Sequence, residues 1–239
     1  MQLICGMHRS GTSLIARIAY LADADLGDPR GFQAPDIWNP QGYFEQREII
    51  ALNSKLIHGL WGRGAYLFLP SSNTILRRAA KASSEILKLG RRYEDKIVKD
   101  NRFCLTLDAW RRTGIMCKRI LVVFRDPLQV AKSLKKRNKI PFRLAFYLWH
   151  EHMVRLRSAI SDLPVQYIWY DRLISDEIQM TDELTKVSWL VGADEGKICA
   201  VASKAIRFSE HKASVNISLY PKKVANLYIN LIELSKRNS

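Results

Sequence analysis

The segment GMHRSGTS, from Gly6 to Ser13, has the glycine spacing of a nucleotide-binding phosphate loop without its lysine. That loop runs Gly, four residues, Gly, Lys and then Ser or Thr. Here Gly6 and Gly11 are in register and Ser13 closes the motif, but Thr12 stands at the lysine position and the positive charge sits inside the loop, at Arg9. The chemistry on offer is anion binding. Small residues admit a phosphate close to the backbone, and a following helix turns its N–H groups and the positive end of its dipole toward it. In NTPases the lysine reaches the β- and γ-phosphates, while an acidic residue at a strand end helps to hold Mg²⁺. The competing reading is a Gly-containing turn that binds nothing.

Two other groups have matching chemistry. Arg125 follows the apolar run RILVVF, with Ser133 on the segment after it. A guanidinium and a hydroxyl so placed can grip one phosphate from two sides; alternatively, Ser133 is a small packing residue. KDNR sets Lys99, Asp100 and Arg102 at a second strand end, where open α/β sheets bind their ligands. A solvated charged turn is the alternative there. Asp126, next to Arg125, caps the following helix or serves a metal; a cation leading that strand end suits a second anionic group better than a metal.

These residues require particular elements to hold them. QLIC before Gly6 reads as a strand and SLIARIAYLA after it as a helix, the context a phosphate loop needs. Pro29 to Phe44 is loop-like, with its Pro, Gly and Asn. EQREIIALNSKLIHGLW reads as a helix with an apolar stripe of Ile49, Ile50, Leu52, Leu56, Ile57 and Leu60. Asn73 is placed to cap a long basic helix running to about Leu89. KIVKD reads as a short strand and RILVVF as a buried one. PLQVAKSLKKR is a helix opened by Asp126 and Pro127, Phe142 to Ile160 a long helix, and VQYIWY a further strand, with helices filling most of the rest. Strands separated by helices predict an α/β fold, a doubly wound parallel sheet flanked by helices on both faces. The 239 residues make one such domain, residues 1–239.

With 38 Lys and Arg against 23 Asp and Glu, the net charge is +15. That field favours anionic partners, whether nucleotide, nucleic acid, acidic glycan or lipid surface, without choosing among them. Cys5, Cys104, Cys117 and Cys199 show neither CxxC pairing nor a His at zinc spacing. A reduced, cytoplasmic setting is therefore expected, and no metal site. No apolar run approaches the ~20 residues that span a bilayer, so no transmembrane segment is expected. With the loop so near the start of the sequence, no signal peptide is expected.

In their order along the chain, these motifs resemble the sulfotransferases that use 3′-phosphoadenosine 5′-phosphosulfate (PAPS). HRSGTSL looks like their 5′-phosphosulfate loop, in which Lys or Arg precedes Ser-Gly-Thr, and VVFRDPLQVAKSL like their 3′-phosphate segment. NPQGYFEQREIIALN and KDNRFCLTL are similar to segments of the bacterial and the glycan- or tyrosine-directed branches, with Lys99-Asp100-Asn101 where Lys-Asp-Pro is usual. WYDRLISD resembles the family's Tyr-plus-acid segment after a late strand, and the matches run from about Cys5 to Asp176.

The resemblance implies a P-loop-like fold and a nucleotide site formed by His8, Arg9, Ser10, Gly11, Thr12, Ser13, Arg125, Ser133 and Tyr170. It implies PAPS as co-substrate, 3′,5′-adenosine bisphosphate as product, and metal-free transfer of a sulfuryl group to a hydroxyl acceptor. The missing lysine then has a reason: PAPS pairs one 5′-phosphate and a singly charged sulfuryl group with a separate 3′-phosphate, which calls for less charge at the loop and a second clamp elsewhere. In-line transfer would follow the logic of phosphoryl transfer. Arg9, Thr12 and the loop amides would stabilise the leaving 5′-phosphate, and Lys99 would sit near the bridging oxygen. Glu45, which resembles the family's catalytic Glu, is the candidate general base; a helix-start carboxylate is the alternative. His8 is the second candidate base, or a residue that shapes the loop.

Resemblance to the glycan-directed branches makes a carbohydrate hydroxyl the first expectation for the acceptor. The loops Gly31 to Phe44 and Gly62 to Ser72 would form its pocket, with Asp100 and Arg102 beside it. Their Trp38, Tyr43, Phe44, Trp61, Tyr66 and Phe68 would stack on a ring or simply pack. Two other readings compete: a Mg²⁺-dependent P-loop kinase with a degenerate loop, which the missing lysine opposes, and a non-catalytic basic anion or RNA binder. Base stacking wants aromatics interleaved with basic residues, whereas Arg77, Arg78, Lys81, Lys88 and Lys132 fall on helix faces, so no nucleic-acid partner is expected.

Overall fold

The computed structural model describes residues 1–59, 69–206, 208 and 217–237. Strand β1 (Gln2–Cys5) leads through the glycine loop into helix α1 (Thr12–Leu21). An irregular stretch with one 3-10 turn follows, then α2 (Arg47–His58), α3 (Ser72–Lys81) and α4 (Ser83–Arg92). Next come β2 (Ile97–Lys99), α5 (Phe103–Arg112), β3 (Arg119–Phe124), α6 (Pro127–Asn138), α7 (Phe142–Ala159) and β4 (Val165–Trp169). A four-residue helix, α8 (Tyr170–Leu173), precedes α9 (Glu177–Val191), α10 (Glu195–Ala205) and α11 (Lys222–Arg237). Leu60, Trp61, Tyr66 and Phe68, assigned above to a helix end and a pocket loop, lie outside the described residues.

The strands form one sheet in the order β2-β1-β3-β4, every pair parallel. The chain therefore winds outward from β1 to β2, crosses back, and winds the other way through β3 to β4. The reversal falls between β1 and β3, so the segments leaving those two strands flank one crevice at their C-terminal ends, where open α/β sheets bind ligands. Alternation along each strand divides the core between the two faces. Leu3, Cys5, Ile120, Val122 and Phe124 belong to the layer shared with α2 through α7 and α11. Ile4, Leu121 and Val123 belong to the layer shared with α1, α9 and α10. The expected doubly wound α/β sheet with helices on both faces is the observed architecture.

Local chemistry sets the helix starts. Asp126 caps α6 by accepting from the N–H groups of Leu128 and Gln129, with Pro127 in the first turn. Asp176 and Asp194 cap α9 and α10 in the same way. Beneath β4, Glu183 of α9 accepts from the Trp169 N–H at 3.0 Å and from Lys186 at 2.8 Å, and Lys186 also donates to the Ser235 carbonyl. Strand end, α9 and α11 are thereby joined through a buried ion pair.

Three boundaries differ from the sequence reading. The basic helix is two helices that break at Ala82, and its cap is Ser71, whose hydroxyl accepts from Thr74 N–H; Asn73 lies inside the first turn. Helix α2 starts after Gln46, so Glu45 precedes it, and the acidic residue of its first turn is Glu48. Tyr170 opens α8 instead of ending β4.

The glycine at the end of β1 is a steric requirement. A Cβ on Gly6 would stand 2.1 Å from the backbone carbonyl oxygen of Val123 in the neighbouring strand, which cannot yield as a side chain can. Gly6→Ala should lower stability by about 3 kcal/mol or more, some ten degrees in Tm for a chain of this size at ~2–4 °C per kcal/mol. Gly192→Ala, where φ is 72° and nothing lies within 4 Å, should cost only about 1 kcal/mol. Equal effects in thermal denaturation would remove the close approach as the cause.

Candidate functional site

The glycine loop folds tightly on itself, Ser10 N–H donating to the Met7 carbonyl at 3.2 Å. Arg9 adopts a left-handed φ of 71° and Gly11, the N-cap of α1, a φ of 92°. No side chain caps α1 and its first turn contains no acid, so its leading N–H groups keep their capacity for an anion. Ser10 is fully buried, and its hydroxyl has no hydrogen-bond partner among the described residues. A Cβ at Gly11 would lie 2.0 Å from the Tyr170 ring, so that position also needs glycine.

Across the crevice, Ser133 on α6 accepts a hydrogen bond from Arg9 Nε at 2.8 Å. The loop cation and the hydroxyl of the expected second clamp therefore rest on each other. Arg125 lies over the Tyr170 ring, 4.9 Å from its centroid, and its buried Nε makes no hydrogen bond among the described residues. Asp171 Oδ1 is 3.5 Å from that Nε, while Asp171 Oδ2 accepts from Asp126 N–H at 2.7 Å. Burial pushes the Asp171 carboxyl up from its ordinary pKa, and it also raises the Tyr170 phenol. Asp126, read from the sequence as a helix cap or a metal ligand, is engaged on both oxygens: it caps α6 with Oδ1 and accepts from Tyr220 with Oδ2 at 2.8 Å.

Lys99 is wholly enclosed, paired with Glu45 Oε1 and donating to Ser13 Oγ at 3.2 Å. Arg102 lies 3.4 Å from Glu45 Oε2. Glu45 is thus aimed at two cations beside the loop and not at the N–H groups of α2. Asp100, expected to face an acceptor, is fully buried. Its oxygens accept from Arg102, backbone and guanidinium, and from Asn53 Nδ2 at 2.9 Å. Asn53 in turn accepts from Thr106 and Trp110, which makes Asp100 an internal strut and leaves Asn101 and Arg102 as the partly exposed members of that segment. Asn101 holds the loop directly, accepting from Thr12 Oγ1 at 2.8 Å.

The expected aromatic contacts separate. Phe44 packs against Tyr20 and Phe32, at centroid distances of 5.5 and 5.8 Å, half-buried against the core. Trp38 is 38% exposed and lies against Arg137, whose guanidinium also reaches Tyr43 and Asp36 at 3.3 and 3.4 Å. Arg137 was hidden in the sequence as part of a short basic run. A cleft of about 530 Å³ opens beside the loop, lined by Ser13, Leu14, Arg17, Gly42, Tyr170 and Lys204 among others.

His8 packs edge-on against His152, their centroids 5.6 Å apart. Burial holds His8 well below the ordinary histidine range, with His152 and nearby arginines adding to it. Burial likewise takes His152 down to about 4. Unfolding returns both to ~6.5, so below that pH the unfolded chain binds more protons and stability rises with pH. Stability should therefore be full above pH ~6.5 and fall toward pH 4, with each histidine contributing up to about 1.4 kcal/mol per pH unit. In urea titrations across this window, His152→Gln should flatten the slope; an unchanged slope would mean that His152 is protonated in the fold.

No protein-family model matches the chain, and no curated protein matches it in sequence. Among solved structures, the chain is similar to a sulfotransferase domain from the curacin biosynthetic pathway, with 12% sequence identity and a TM-score of 0.43 over 97% of each chain.

Proposed function

We propose that the protein is a sulfotransferase that takes its sulfuryl group from PAPS and passes it to a hydroxyl acceptor, first of all a carbohydrate, on a single α/β domain. The observation that carries this reading is the Arg9–Ser133 hydrogen bond, which joins the glycine loop to α6, the helix that follows Arg125. The glycine loop with Arg9 would form one anion site and Arg125 with Ser133 a second. The Ser10 hydroxyl, buried without a partner among the described residues, suits an arriving anion, because buried polar atoms ordinarily have partners.

When bound, PAPS supplies the sulfuryl group and, in its 3′-phosphate, a second anionic handle. The loop amides, Arg9, Thr12 and Ser13 would hold the 5′ end, Arg125 and Ser133 the 3′-phosphate, and the cleft by Leu14 and Tyr170 the nucleoside. Glu45 would accept the acceptor's proton. Of its two oxygens, Oε2 is the more loosely held, at 3.4 Å from Arg102. Lys99, fixed between Glu45 and Ser13, would orient the base against the loop and place positive charge where negative charge develops.

Ligand choice tests the reading. 3′,5′-Adenosine bisphosphate should raise the Tm without added metal, by linkage worth ~2.7 kcal/mol at a hundredfold excess over Kd, and AMP should raise it far less. Equal shifts would dismiss the second site, and a shift seen only with ATP and Mg²⁺ would favour a kinase. Glu45→Gln should leave bisphosphate affinity unchanged and lower kcat by about 10²–10⁴, less with an acidic phenol as acceptor. A wild-type kcat would transfer the role of base to another group.

A further inference from the structure

Asp171 has no place in the nucleotide site proposed above, yet the fold sets it behind that site. Phe124 and Trp169 are register partners in the β3–β4 ladder. The next residues along the two strands, Arg125–Asp126 and Tyr170–Asp171, therefore leave the sheet side by side. Asp171 sits in the first turn of α8 with its side chain only 13% exposed. Oδ2 accepts from the Asp126 N–H at 2.7 Å and from Trp169 Nε1 at 3.3 Å. Oδ1 is turned to Arg125 Nε, 3.5 Å away.

The consequences for Arg125 are specific. An arginine side chain has several rotatable bonds, and binding by a free one costs the ordering of all of them. Here the Nε edge faces a carboxylate and one face of the guanidinium lies 4.9 Å from the Tyr170 ring. Among the described residues Arg125 Nε donates no hydrogen bond, and with that edge turned to Asp171 the two terminal nitrogens are the fork that would match a phosphate. The same carboxylate fixes the turn that carries Arg125, through Asp126 N–H. One residue thus controls both the position and the orientation of the cation.

We propose that Asp171 is the positioning residue of the second anion site, holding Arg125 so that affinity for the ligand's second anionic group, and not for the group at the glycine loop, depends on it. This rests on the nucleotide reading for the ligand's identity, but the geometry is a property of the protein alone. Asp171→Asn is the informative change, since an amide oxygen can still accept from Asp126 N–H while the charge facing Arg125 is gone.

Two measurements separate the cases. In the ligand-free protein, the Arg125 Nε–H resonance, assigned by its loss in Arg125→Lys, should be resolved in the wild type and broadened by solvent exchange in Asp171→Asn. In calorimetry, Asp171→Asn should bind 3′,5′-adenosine bisphosphate about tenfold more weakly, the size of one charge-assisted contact, with AMP affinity within about twofold of wild type. An unchanged Nε–H resonance, or equal losses for both nucleotides, would overturn the proposal and leave Asp171 a turn-capping residue. If the wild type does not distinguish the two nucleotides while the resonance still depends on Asp171, the nucleotide reading fails and the positioning of Arg125 stands.

Discussion

Cys5 pairs with Val122 in the parallel ladder between β1 and β3, and one residue later Gly6 runs so close to the Val123 carbonyl that no side chain fits between them. Everything in the crevice is arranged around that approach. Because β1 and β3 are adjacent and the winding reverses between them, the loop after one and the Arg125 segment after the other open on the same side. A slip of one residue would reverse which side chains enter each core layer, and the buried runs on β1 and β3 forbid it. The two anion-seeking groups are held in register by the same ladder that builds the core.

Charge within the crevice is organised by pairing more than by amount. The chain carries +15 overall, yet the cations nearest the loop each face a specific partner: Lys99 faces Glu45, Arg102 faces Asp100, Arg125 faces Asp171 and Arg137 faces Asp36. Lys99–Glu45 is buried on both sides while Arg137–Asp36 is open to solvent; pairs of either kind add little net stability, because desolvation or solvent screening offsets attraction. Their effect is orientation, and for the proposed transfer, ions that are already oriented would need no rearrangement as charge develops. Arg9 is the exception, resting on the Ser133 hydroxyl and not on a carboxylate. A hydroxyl releases a guanidinium to an arriving anion more readily than a carboxylate does.

Behind these pairs lies a layer of neutral hydrogen bonds. Asn53 binds Asp100 with its amide nitrogen, and its carbonyl accepts from both Thr106 and Trp110. That links α2 to α5 and fixes the turn after β2 on which Lys99, Asn101 and Arg102 are carried. Asn101 passes the constraint to Thr12, so the position where Lys-Asp-Pro is usual in the resembled family bears a side chain that ties the strand turn to the glycine loop.

What the sequence by itself determined was whatever short-range chemistry decides. The glycine spacing, the Asp126–Pro127 helix start, the continuous apolar run of β3 and the alternation of strands with helices were enough to read the layered α/β architecture and to place the glycine loop between a strand and a helix. Boundaries that depend on competition between neighbouring caps were less legible: Ser71 prevailed over Asn73, and α2 started past Glu45. Burial and partnership were not legible at all, because they join residues far apart in the chain. KDNR reads the same whether Asp100 faces solvent or Asn53; only the packing of α2 on α5 buried it. Trp38 and Phe44 are both loop aromatics in sequence, and only the positions of Tyr20 and Phe32 set Phe44 half-buried against the core and left Trp38 at the surface. Strand order, which brings Arg9 to Ser133 and Asp171 to Arg125, was decided by which strands could bury both faces together. That is a property of the assembled sheet and of no single segment.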